Sequence, residues 1–501
     1  MKDRQQIDDL IRLYEEQLIN APPDAEFRVR NILGPLADLY NENDDYQKEL
    51  PLRQQIADHY RGEGEAYAGA MTSLGIAWRN LPVGDRGDNH RKAIECYREA
   101  LQIYTREAFP AQYAMTMHNL GTVYTTLRFP AGEPGMNLWQ AIECYGEALK
   151  IYTIEEYPAQ YAMTMNNLGT AFRNLPLSDR GENLRRAIEC YEESLKVYTS
   201  GTYPVEYART MNNLGTVYAG LTTVDIGNNI GKAIDCYREA LKIYTSETFP
   251  LWFALTMNNL GAAYRNLPVG DRSENLRKGI DCYEGALKIF TIEAYPVEYA
   301  RTMNNLGAAY ANMPTGDKAE NCGKAIECYR EALKICSVEA FPALYAKTMH
   351  NLGAAYANLP TGDRSDNIRK AIGCYREAMR VFTIESYPVE YAVSMNALGV
   401  ACANAPTDDR EENYRVAIDC YQEALKIFTV EAYPVDYART MNLLGLAYAD
   451  LSAGNRHENL IKAIGCYRKA LEVYTREGFP EEHARVFALL EKAEEALAAT
   501  V

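Results

Sequence analysis

Pro204-Val-Glu-Tyr207-Ala-Arg-Thr-Met211-Asn-Asn-Leu214-Gly215-Thr-Val-Tyr218 places Tyr207, Met211, Leu214 and Tyr218 at steps of four, three and four residues. That spacing is one apolar stripe of an amphipathic helix. Proline suits the first turn, where its missing N–H would have no partner anyway. Outward from this stretch the same words return. A Gly after Asn-Leu or a near relative stands at 75, 121, 169, 215, 261, 307, 353, 399 and 445, at intervals of 46 with a single 48. The longer interval coincides with Phe-Pro-Ala-Gly-Glu-Pro-Gly-Met-Asn at 129–137. Cys-Tyr keeps the same register, starting at Cys96, Cys144, Cys190, Cys236, Cys282, Cys328, Cys374, Cys420 and Cys466. Periodicity of this length means a repeat array rather than independent globular domains.

Each repeat reads as two helices. After the first comes turn chemistry such as Leu-Pro-Thr-Gly-Asp-Arg at 359–364. Asn89, Asn183, Asn275, Asn367 and Asn459 then stand where a helix N-cap is expected. The second helix, for example Ala371-Ile-Gly-Cys-Tyr375-Arg-Glu-Ala378, is apolar on one side and charged on the other.

These words resemble the tetratricopeptide family. Its first-helix signature L-G-x-x-Y is matched by Leu120-Gly121-Thr-Val-Tyr124 and again as far as Leu444-Gly445-Leu-Ala-Tyr448. Its second-helix signature A-x3-F/Y-x2-A is matched by Ala93, Tyr97 and Ala100. The resemblance spans about residues 65–475 and departs from the family in length, 46 residues against about 34. The twelve extra residues are assigned to the loops or to longer helices. Long repeats of this kind look like those of kinesin light chains and of cyanobacterial proteins, where they often precede a caspase-like CHAT peptidase domain. No such domain is expected here. The resemblance implies an all-α fold, a right-handed α-solenoid of about ten antiparallel helix pairs with capping helices. We expect residues 1–62 to form an N-terminal capping helix and a worn pair, with Leu36-Ala37-Asp-Leu-Tyr40 in the first-helix slot. Nine full repeats follow over 63–478, and a C-terminal capping helix over 479–501 begins at Pro480.

Composition narrows the function. The 501 residues carry 52 Lys and Arg against 68 Asp and Glu, a net charge of -16. That balance disfavours nucleic acid, which needs a basic face. No apolar run of 18 residues and no leading apolar segment point to a membrane or to secretion, so a cytoplasmic setting is expected. The nine Cys of the Cys-Tyr pairs read as small core residues. Equivalent positions about 10 Å apart are too far for disulfides, which need Cα atoms within about 7 Å. Six scattered His form no ligand set. Gly227-Asn-Asn-Ile-Gly231-Lys232 falls short of phosphate-loop spacing and lacks the following Ser or Thr. Neither an enzyme nor a cofactor is expected.

One pattern is not required by packing. Asn119, Asn167, Asn213, Asn259, Asn305 and Asn351 immediately precede Leu-Gly, and Asn166, Asn212, Asn258, Asn304, Asn396 and Asn442 come one residue earlier. Asn inside a helix costs about 0.6 kcal/mol against Ala, so twelve cost on the order of 7 kcal/mol. The first set shares a stripe with Arg209, Arg301 and Lys347, four residues before Asn213, Asn305 and Asn351. In the resembled family this face lines the concave groove, and Asn there holds an extended peptide backbone. A carboxamide offers both a donor and an acceptor to a peptide unit. The same Asn could instead bridge neighbouring helices, or be copies left by duplication. Glu206–Arg209, Glu298–Arg301 and Asp436–Arg439 are spaced as helical ion pairs, while Lys347, with Leu344 before it, has no such partner and is the better ligand candidate. The expected function is a non-enzymatic interaction scaffold. Its groove takes an extended peptide or protein tail, with a preference for acidic or carboxylate-bearing ligands. The alternative is a regulatory or sensor subunit, a peptide-signal receptor or the partner of a CHAT-type peptidase.

Overall fold

The computed structural model describes residues 4–127, 135–176, 180–221, 225–406, 409–452 and 454–499. Every regular element among them is a helix. The fold is an all-α solenoid of tetratricopeptide-like helix pairs. It divides into two compact units, residues 1–244 and 245–501. The insertion read at 129–137 lies mostly outside the described residues.

In the first unit, Arg4–Asn20 packs on Gly34–Glu42, which pairs with Tyr46–His59. A π-helical turn, Val29–Leu33, precedes Gly34, where Pro35 removes a backbone donor and with it an α-type bond. Four regular pairs follow, from Glu65–Asn80 with Arg86–Ala100 to Pro204–Gly220 with Ile226–Leu241. The second unit holds five pairs, from Pro250–Asn266 with Arg272–Leu287 to Pro434–Asp450 with Arg456–Val473, and ends in Pro480–Ala498. The twelve extra residues lie largely in the helices, which run 16 and 17 residues in a typical pair. Most of the rest sits in the connector to the next pair. There Thr291 Oγ1 accepts the Ala294 N–H at 3.2 Å and Phe290 meets Tyr295 edge-on at 5.7 Å.

The Gly of each Leu-Gly exists for its partner's ring. A Cβ built on Gly121 would stand 2.8 Å from Cε1 of Tyr145, and one on Gly307 would stand 2.7 Å from Cε1 of Tyr329. Both are the tyrosines of Cys-Tyr, fully buried. Each ring supplies a large buried area to the pair, and only a bare backbone lets it approach. All twelve cysteines are buried and unbridged. Burial pushes the thiols up, to about 12 for Cys96 and Cys190.

The N-cap expectation needs correcting. The caps are Asp85, Asp271 and Asp363, whose side chains accept the N–H three residues on. They follow a Gly at φ near +81° to +83° in Gly84, Gly270 and Gly362. Asn89, Asn275, Asn367 and Asn459 lie a full turn inside, as does Asn183 within Arg180–Leu195. Asn89, Asn275 and Asn367 instead donate from Nδ2 to the loop carbonyls of Val83, Val269 and Thr361, each at 2.8 Å. Asp, with a full negative charge for the free N–H groups, takes the cap in these three, Asn455 takes it ahead of Arg456–Val473, and the inner Asn ties down the loop. The phosphate-loop look-alike is ordinary helix, with Lys232 over the ring of Tyr218 at 5.2 Å.

Candidate functional site

Within each unit the first helices of successive pairs also touch one another, as Pro296–Ala311 touches Pro342–Asn358, whereas the second helices make no comparable contact among the described residues. Two rows of helices of which only one closes up curve toward that row. The first-helix faces are therefore the concave faces of the two units.

All nine residues singled out on the sequence stand on first helices. Asn119, Asn167, Arg209 and Asn213 lie in the first unit and Asn259, Arg301, Asn305, Lys347 and Asn351 in the second. The carboxamides are half-buried, as is Arg209, while Arg301 and Lys347 are exposed.

The two asparagine series meet. Asn351 Nδ2 donates to Asn304 Oδ1 at 3.0 Å and Asn305 Nδ2 to Asn258 Oδ1 at 3.2 Å. Asn213 reaches Asn166 in the same way at 3.4 Å. Each rung runs from the residue before Leu-Gly back to the earlier Asn of the preceding repeat. His118 occupies that earlier slot, and there Asn167 Nδ2 meets its Nε2 at 3.4 Å. Thr164 gives its own proton to the carbonyl of Gln160 at 2.7 Å, so His118 donates from Nδ1 to Thr164 Oγ1 at 2.9 Å. Its Nε2 is then the acceptor.

Sequence reading missed a third partner. Arg79, Arg173 and Arg265 each donate from a guanidinium nitrogen to Oδ1 of Asn119, Asn213 and Asn305, at 3.3, 3.4 and 3.5 Å. The signal was there, since Arg-Asn-Leu-Pro recurs at 79, 173 and 265, in the first, third and fifth of the regular repeats. An inter-repeat bridge is thus a structural use of these asparagines. Asn213 and Asn305, which have both, keep the capacity of one N–H and one lone pair beyond the rung and the Arg.

Of the three expected helical ion pairs only Arg439 with Asp436 forms, at 3.2 Å. Among the described residues Arg301 and Lys347 meet no carboxylate within ion-pair distance, and Nε of Arg209 is buried without a partner. Crowding first, then Arg265 and Arg301, holds the Lys347 ammonium below its ordinary value, against a pull from Glu390. Arg265, Arg301 and Lys347 are therefore a cationic cluster on the concave face of the second unit, in a chain whose net charge is -16.

The rungs stop toward the C-terminus, where Ala397, Leu443 and Leu489 replace the donor Asn. The abandoned acceptors are visible. Oδ1 of Asn396 and Oδ1 of Asn442 are buried with no hydrogen-bond partner. At the first break a cavity of about 430 Å³ opens between Pro342–Asn358 and Pro388–Ala403, with Lys347, His350, Asn351 and Glu390 among its lining. Among the described residues no helix is long and apolar enough to cross a membrane.

No protein-family model matches the sequence, and no curated protein matches it. Solved structures are similar to it in part. The apo form of RapI is 15% identical at a TM-score of 0.49, with 77% of this chain and 98% of that one covered. The C-terminal part of a TPR repeat-containing protein from Cytophaga hutchinsonii is 13% identical at a TM-score of 0.35, covering 58% of this chain and 90% of that one. Human IFIT1, as a dimer with PPP-AAAA, is 15% identical at a TM-score of 0.43, covering 95% and 96%. Overlaps at this level do not reach to function, which has to come from the chain's own surface.

Proposed function

We propose that the concave first-helix face of each unit is a docking groove for an extended segment of another protein, and that the chain is a non-enzymatic interaction scaffold. The supporting observation is the pairing of pre-oriented carboxamides with cations that lack anions. Asn213, Asn305 and Asn351 are held by their rungs, so binding need not order them. An extended strand rises about 3.3 Å per residue and repeats recur about every 10 Å, so successive carboxamides, Asn119 and Asn167 or Asn259 and Asn305, would meet roughly every third peptide unit. Arg209, Arg301 and Lys347 beside them favour an acidic segment or a free carboxylate.

The test is affinity capture from the native cell extract, read by mass spectrometry. Wild type is compared with Arg209→Ala/Asn213→Ala and with Arg301→Ala/Asn305→Ala, all at equal helicity and at a temperature well below the melting transition of each, since losing a rung lowers it. We expect a protein retained by wild type and lost from one double variant or both. Retention of the same partners by both variants would place recognition off these faces.

A further inference from the structure

Where the asparagine ladder first breaks, the cavity between Pro342–Asn358 and Pro388–Ala403 is not merely a gap left by a missing side chain. Its walls are apolar, with Phe382, Tyr387, Val389 and Val393 among them. Val393 is exposed and stands where the neighbouring repeats carry Lys347 and Arg439. At one end sit Lys347 and His350. An asparagine one repeat after Asn351 would have closed that end, because each rung donor reaches the residue 47 positions earlier, but the chain has Ala397 there.

His350 sits in the slot of His118 yet carries its proton on the other nitrogen. Nδ1 of His350 and Oγ of Ser394 are 3.0 Å apart. Unlike Thr164, Ser394 makes no bond to a backbone carbonyl among the described residues, and it is completely buried. Its hydroxyl proton therefore has one acceptor available, Nδ1 of His350. The opposite assignment would bury a donor without a partner, the costlier arrangement. Nε2 then carries the ring proton and is left without a partner among the described residues. Burial keeps the ring neutral at ordinary pH, with its pKa pushed down to about 4.

We infer that this cavity is a binding site for an apolar group that ends in a carboxylate. The apolar body lies against Phe382, Tyr387, Val389 and Val393, and the carboxylate accepts from Nε2 of His350 and from Nζ of Lys347. Glu390 is the one opposing charge in the lining, and Arg265 and Arg301 outweigh it at Lys347. The site rests on the groove reading only in sharing Lys347 and Asn351 with it. Two sources present this chemistry, the last residue of a polypeptide with an apolar side chain and a free aryl or alkyl acid.

Isothermal titration of the full chain with N-acetyl-L-phenylalanine, its carboxamide, and phenylpropionate separates them. The acetylated acid binds at least about tenfold more tightly than its amide, the loss of one charge-assisted contact. If phenylpropionate equals the acetylated acid, the ligand is a free acid; if it is clearly weaker, the ligand is a chain terminus. Ala397→Asn places a carboxamide against His350 and weakens the acid about tenfold without lowering the melting temperature. Glu390→Gln strengthens it. Nitrogen NMR of the His350 ring finds the proton on Nε2. Equal binding of acid and amide, no binding of any of the three probes, or indifference to Ala397→Asn would overturn the assignment. None of those results touches the capture experiment, whose variants lie outside the cavity.

Discussion

Asn351 donates from Nδ2 to Oδ1 of Asn304, a residue 47 positions earlier, across 3.0 Å. That bond joins two repeats that also meet through apolar side chains and through Arg330 on the Tyr356 hydroxyl, and it gives a polar residue in a helix interior a reason to be there. A repeat stack is stable as the sum of its units and of the interfaces between neighbours, so each rung acts locally.

Removing and restoring rungs should have opposite signs. Asn351→Ala leaves Oδ1 of Asn304 without its donor and costs about 1–2 kcal/mol. Leu443→Asn supplies a donor to the buried, unpartnered Oδ1 of Asn396 and adds about 1 kcal/mol. Urea unfolding of the two variants beside wild type decides it. A destabilised Leu443→Asn chain would mean that apolar packing of Leu443 outweighs the rung.

Two glycines inside helices should respond in opposite directions to the same change. A Cβ on Gly399 would stand 2.6 Å from Cε1 of Tyr421, whereas one on Gly373 meets nothing within 4 Å. Gly399→Ala is expected to cost about 2 kcal/mol through overpacking. Gly373→Ala should gain about 0.5–1 kcal/mol from helix propensity. Thermal denaturation of both, with circular dichroism as the signal, checks the pair.

Burial, reinforced by Arg79, holds the His118 imidazole at about 4, against an ordinary value of 6.5. As pH falls the unfolded chain takes up this proton first, so the contribution is whole above about 6.5 and is lost between there and about 4. The gap corresponds to roughly 3 kcal/mol. His118→Asn keeps an acceptor for Asn167 and should flatten that part of the stability profile. Identical slopes for wild type and variant across this window would show that the ring does not titrate on unfolding.

Cysteine reactivity should report unfolding alone. With every thiol buried and Cys236 and Cys328 pushed up to about 12, no thiolate is offered to an external disulfide. Ellman's reagent should react with the native chain only as fast as it opens. A rapid burst without denaturant would contradict this.

Asp363 caps Arg364–Ala378 by accepting the Asp366 N–H at 2.8 Å. Asp363→Ala is expected to cost about 1 kcal/mol. Asn367→Ala, four residues on, should loosen the preceding loop instead, since Asn367 binds Thr361 O. Hydrogen exchange resolves which amides are affected in each.

Helix placement and the period were legible in the residues themselves. Tyr207, Met211, Leu214 and Tyr218 share a stripe by spacing alone, whereas the ring that each Leu-Gly glycine admits, Tyr145 for Gly121, is seen only once the pair is packed. Local patterns of this kind depend on covalent geometry and helical pitch, which the sequence carries whole. What Asn213 or Asn351 does could not be read in the same way, because its partners lie 47 residues back in Asn166 and Asn304. A carboxamide suits a peptide and a neighbouring helix equally well. The inner Asn of Gly-Asp-Arg-x-x-Asn reads as a cap because both Asp and Asn cap helices, and only the path of the chain shows which stands at the first turn. The tautomer of His350 depends on Ser394, 44 residues on, and the cavity it lines is walled by residues of two successive repeats. Which of several possible hydrogen bonds a side chain makes is settled by distances between repeats, and those come from stacking rather than from any one stretch of residues.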